Sequence, residues 1–99
     1  MVAGAKNRED GSPNTAYVYD CGQAVAYLTL EATQRNIMMH QMGGFDKTKL
    51  HQDLKLNDDL DVLVVIAVGY YQDNELLKEP IKSLELTERI RKSQQEILL

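Results

Sequence analysis

The chain has 99 residues and a net charge of −4, so it is one small domain or part of one, with no electrostatic case for binding nucleic acid or an anionic membrane. Its apolar (43%) and charged (26%) fractions are those of a folded globular protein. Cys21 is the sole cysteine, which excludes an internal disulfide; with no apolar run of membrane-spanning length and no signal peptide at Met1-Val2-Ala3-Gly4-Ala5-Lys6, a cytoplasmic protein is expected.

In chain order, Val2-Ala3-Gly4-Ala5 reads as the end of a buried strand with nothing ahead of it, which predicts the latter part of something longer. Residues 7–14 form a loop broken at Gly11-Ser12-Pro13-Asn14, with Asn14 as the expected N-cap of a helix over residues 15–35. Tyr17, Cys21, Ala24, Val25, Leu28 and Ala32 recur at helical spacing, and residues 24–30 are apolar on nearly every side. A helix of that kind is covered all round, and a chain this small can hardly surround it, so a second chain is the expected cover. Cys21 reads as a small core residue; Tyr17, Tyr19 and Tyr27 read as core or interface.

Asn36 is the expected C-cap, followed by a short strand over residues 37–42. Asp46 is placed to cap a helix over residues 47–55 with Leu50 and Leu54 inward. Asn57-Asp58-Asp59 is a turn. Residues 62–68 are seven consecutive apolar residues rich in β-branched types, the pattern of a central strand covered on both faces. After Asp73-Asn74 the pattern weakens around Pro80, and the apolar end Glu96-Ile97-Leu98-Leu99 is expected to dock on its own body or on a partner.

His40 and His51 have no third ligand at metal spacing, so no metal site is expected, and His40 reads as packed or interfacial. No Walker A loop, G-x-G-x-x-G or nucleophile elbow is present. Two features remain. Gln41-Met42-Gly43-Gly44-Phe45-Asp46 places adjacent glycines between a strand and a helix start, where bare N–H groups can approach a flat ligand. Arg89 and Arg91, at i and i+2 of an extended segment, can share a side and clamp an anion, with Lys92 beside them.

Four segments in order resemble the C-terminal half of the FMN-dependent nitroreductase family. Residues 19–33 are similar to its long central helix, and His40-Gln41-Met42-Gly43-Gly44-Phe45-Asp46 to its glycine loop. Val64-Val65-Ile66-Ala67-Val68-Gly69-Tyr70 is similar to the following strand, and Glu88-Arg89-Ile90-Arg91-Lys92 with Glu96-Ile97-Leu98 to the basic motif and closing strand. The resemblance implies an α+β fold: a long central helix, short strands of a mixed sheet, and an intertwined homodimer with FMN at the interface. It also implies NAD(P)H as donor and a nitroaromatic or quinone as acceptor, with no catalytic acid or base in the chain. Gln41, Met42, Gly43 and Gly44 then face the flavin edge, and Arg89 and Arg91 lie near its phosphate. Ser93 stands where many members carry Pro.

The family's N-terminal Arg-Ser-x-Arg type phosphate motif has no counterpart here. Each charged hydrogen bond lost with it removes ~1.5–3 kcal/mol, so weakened FMN binding is expected of this chain by itself, with the missing half supplied by another chain as the rescue. A dimerisation scaffold without flavin is the alternative.

Overall fold

In the computed structural model, residues 1–72 and 74–98 are described. The elements run β1 (Val2–Ala5), α1 (Tyr17–Gln34), β2 (Ile37–Met42), α2 (Lys47–Asp53), β3 (Leu60–Tyr70), a 3-10 turn (Asn74–Leu76), α3 (Ile81–Glu85) and α4 (Gln94–Ile97). The expected strand–helix–strand–helix–strand order stands. The chain is α+β, with one helix much longer than the rest.

The apolar run of β3 takes the middle of a three-stranded sheet of order β1-β3-β2. Both ladders are antiparallel, so the parallel pairing expected of a mixed sheet is not found among the described residues. The two ladders use different halves of β3. β1 pairs with its first half (Val2 with Val64, Ala5 with Leu60), and β2 with its second (Met42 with Val65, Ile37 with Tyr70). Cover follows the same division: Val62 is 2% exposed, whereas Val68 is 63% exposed. Cover on both faces, as residues 62–68 led one to expect, therefore holds only near the β1 end.

Helix α1 packs on β1 and β2 through Tyr17, Cys21, Val25 and Ala32, spaced by about one helical turn or two. Gly4 makes this possible: a Cβ there would collide with the Tyr17 ring and press on Cys21 Sγ. The other faces of α1 are open. Tyr19, Tyr27, Leu28 and Leu30 are exposed, so the all-round burial expected of this helix is not supplied by its own chain. Asn14 is not the N-cap. The cap position is Ala16, without a side-chain bond, because Asn14 is engaged with the end of β1: its amide Nδ2 donates to the Ala5 carbonyl (3.2 Å) and its N–H to that of Lys6 (2.8 Å). Asn36 follows α1 in the left-handed region (φ 57°), where Asn is tolerated better than most residues.

Asp46 caps α2 as expected, its side chain accepting from the Lys49 N–H at 2.9 Å. The helix ends at Asp53, shorter than the predicted 47–55, so Leu54 sits at the C-cap and is half exposed.

From Lys78 to Leu98 the backbone hydrogen bonds close single turns, such as Lys82 N–H to the Lys78 carbonyl (3.1 Å) and Leu98 N–H to the Gln94 carbonyl (2.9 Å). The expected closing strand is instead α4, one turn started by a capping box in which Ser93 N–H and Oγ donate to the Glu96 carboxylate (2.8 and 2.7 Å). Ile97 and Leu98 remain exposed and do not dock on their own body; Leu99 and Asp73 lie outside the described residues. The chain exposes 8606 Å², against about 5,700 Å² for a compact monomer of this mass. Its radius of gyration is 17.2 Å, where about 13 Å is usual at this length. The shape is that of a sheet-and-helix body carrying an extended arm.

Candidate functional site

The glycine loop leaves the sheet at the end of β2. Gln41 and Met42 are the last two strand residues, paired with Ile66 and Val65, and Gly43-Gly44 follow at once. All four are exposed. Neither glycine has a positive φ, and a Cβ on either would meet nothing within 4 Å. The chain's own packing and backbone therefore do not require glycine at either position. Among the described residues, neither amide of the pair donates a backbone hydrogen bond. Two free N–H groups and an unobstructed backbone are what a planar, acceptor-edged ligand would need.

The loop is held on both sides. At its entry, Gln41 Nε2 donates to Thr29 Oγ1 of α1 at 3.5 Å, and that hydroxyl donates to the Val25 carbonyl at 2.8 Å. At its exit stand the Asp46 cap and Lys47, whose Nζ lies 3.7 Å from Asp61 Oδ1 on β3. The other Asp61 oxygen accepts from the Tyr17 hydroxyl at 3.1 Å. Partial burial, then the hydrogen bond to Asp61, raises the Tyr17 pKa above its ordinary value. Sequence reasoning missed Thr29, Lys47 and Asp61. The one local signal was a lysine at the first position of a helix, where the helix dipole disfavours a cation.

The arginines lie elsewhere. Arg89 and Arg91 occupy irregular, exposed backbone between α3 and α4. Arg91 Nη1 donates to the neighbouring Ile90 carbonyl at 2.8 Å. No hydrogen bond or ion pair among the described residues joins either arginine to the glycine loop. His40 is exposed, paired across the ladder with Ala67. Among the described residues no three His, Cys, Asp or Glu side chains gather as a metal site, and no helix is long and apolar enough to cross a membrane.

A long helix packed on an antiparallel sheet, with a glycine loop at a strand end, defines the class as a small α+β fold. The crystal structure of an oxidoreductase containing FMN aligns with a TM-score of 0.74 and 23% identity, over 88% of this chain and 46% of that one. The chain thus spans about half the length of that structure, and at this identity the likeness concerns the fold. A model of the nitroreductase family matches residues 2–70, and the chain belongs to that family. Among curated proteins no match is found. The match covers the body and the glycine loop but not the arm with Arg89 and Arg91.

Proposed function

We propose that the chain carries the flavin-edge half of an FMN-dependent NAD(P)H oxidoreductase that works as a homodimer on nitroaromatics or quinones. The observation that carries this reading is the Gly43-Gly44 loop: free amides on an unobstructed backbone, in a chain whose family match includes them. Bound FMN supplies the redox chemistry, accepting from NAD(P)H and delivering to the aromatic acceptor. The chain's own part is to hold and orient. Gly43 and Gly44 N–H groups serve as fixed donors toward the ring edge, Gln41 and Met42 flank it, and Arg89 and Arg91 offer forked donors for the phosphate.

The body fits this role, since a Cβ at Gly43 or Gly44 would meet nothing within 4 Å among the described residues. Bringing the arginines to the same flavin falls to the rest of the assembly. The exposed α1 residues and the surplus of accessible surface support a partner chain as that cover. A cytoplasmic setting accords with the free Cys21.

The test is titration of FMN fluorescence with the purified chain, followed by NAD(P)H-dependent reduction of a nitroaromatic. Saturable quenching that is lost in Gly44→Val is expected. Absence of quenching would favour a dimerisation scaffold without flavin.

A further inference from the structure

One carboxylate gathers groups from three elements. Asp61 lies on β3 opposite Gly4 of β1. It accepts the Tyr17 hydroxyl from α1 at 3.1 Å and faces Lys47 Nζ from α2 at 3.7 Å. Gly4 allows the Tyr17 ring to lie against the strand, since any Cβ there would displace it. Lys47 follows the glycine loop after only Phe45 and Asp46, and it is the first residue of α2. A cation at a helix N-terminus is disfavoured by the dipole, and the neighbouring Asp46 carboxylate that offsets it here is engaged with the Lys49 N–H at 2.9 Å. The only charge paired with Lys47 among the described residues is Asp61, across the sheet.

We propose that Asp61 is a positioning residue: with Tyr17 fixing its carboxylate and Lys47 as its handle, it anchors the exit of the Gly43-Gly44 loop to β3. The entry is anchored separately by Gln41 on Thr29. With both ends tethered, the two glycine amides keep one orientation despite a backbone that would otherwise wander. The ion pair is partly exposed, so its effect is modest: removing it should change loop populations, and any affinity that depends on them, by about two- to fivefold. That last consequence rests on the flavin reading; the anchoring does not.

The test is ¹⁵N relaxation of the full chain without ligand, in wild type, Asp61→Asn, Lys47→Gln and the double variant. Lys47 is half exposed and its replacement leaves the fold standing, so it decides the matter if Asp61→Asn fails to fold. Order parameters at Gly43 and Gly44 should fall from about 0.85 toward 0.6 in each single variant, with Val64 and Val65 unchanged. The double variant should fall no further, because both changes break one link. Unchanged loop order in Lys47→Gln, or additive losses in the double variant, would overturn the anchoring. An FMN titration of the same samples separates the two ideas: wild type that fails to bind FMN refutes the flavin reading and leaves the anchor untouched.

Discussion

The body and the arm of this chain differ both in residue types and in how they are held: every valine, alanine, glycine and methionine lies within residues 1–70. In the body, residues far apart in sequence meet: Tyr17 bonds Asp61, and Lys6 N–H donates to the Asp59 carbonyl at 2.9 Å. In the arm, after Tyr70, hydrogen bonds join near neighbours, as in Ser83 on Glu79, Thr87 on Ser83 and Ser93 on Glu96. The family match stops where the body stops. Long-range contacts give the body a defined place for the glycine loop, whereas local turns leave Leu84, Leu86, Ile90 and Ile97 facing water. The arm's turns are thus closed locally, while Leu76, Leu77 and Glu85 border the same hollow as Met38, His40 and Val68 of the sheet.

Substitutions should expose this contrast. Val62→Ala removes the least exposed side chain of the body and should lower stability by about 2 kcal/mol, whereas Ile90→Ala, at 84% exposure in the arm, should stay within about 0.5 kcal/mol. Urea unfolding followed by circular dichroism compares them. Equal effects would erase the distinction.

Gly4→Ala comes next. It forces Tyr17 off β1 and should cost about 1–3 kcal/mol by overpacking, read as a lowered midpoint in the same experiment. Leu30→Glu, on the open side of α1, should leave the body folded but weaken self-association roughly tenfold, since a buried leucine is worth ~1.5–3 kcal/mol. Sedimentation velocity checks this; a wild-type chain that stays a compact monomer at micromolar concentration contradicts the expected second-chain cover.

The smallest effects are in pH. Tyr17 has a folded pKa raised above its ordinary 10.0, by partial burial first and the bond to Asp61 second. Its contribution is complete below that ordinary value and is lost as pH rises through the folded one, so the body should weaken above about pH 10 and Tyr17→Phe should flatten that fall. In the arm the sign reverses. The Ser93 hydroxyl, then its N–H, hold the Glu96 carboxyl below its ordinary 4.5. The turn it closes is supported above that value and frays as pH falls through the lower one, with the Glu96 amide and side-chain NMR shifts as the readout.

Much of the body was legible because its signals are local. The β-branched run of β3, the Asp46 cap and the apolar spacing of α1 each lie within one element. The Gly4–Tyr17–Asp61–Lys47 chain was not legible, since hydrophobic period carries no information about which distant strand brings an aspartate to a tyrosine. Helix α1 was read as buried all round because its composition cannot say which face its own chain covers. Only the face with Tyr17, Cys21, Val25 and Ala32 is used. The arm misled for another reason. The closing strand is what the family resemblance implies for Glu96-Ile97-Leu98, whereas Ser93 and Glu96 stand at capping-box spacing and start a helical turn there. Of the site residues, the glycine loop stood out on residue type and place, whereas joining Arg89 and Arg91 to it came from family resemblance and finds no hydrogen bond or ion pair among the described residues.

The most direct test of the account is hydrogen exchange of the full chain with and without FMN, read by mass spectrometry over residues 41–46. The account predicts slowed exchange at Gly43 and Gly44 on adding FMN, with the β1–β3 ladder unchanged. Exchange in that segment identical in both samples, under conditions where FMN is demonstrably bound, would contradict the placement of the flavin edge at this loop.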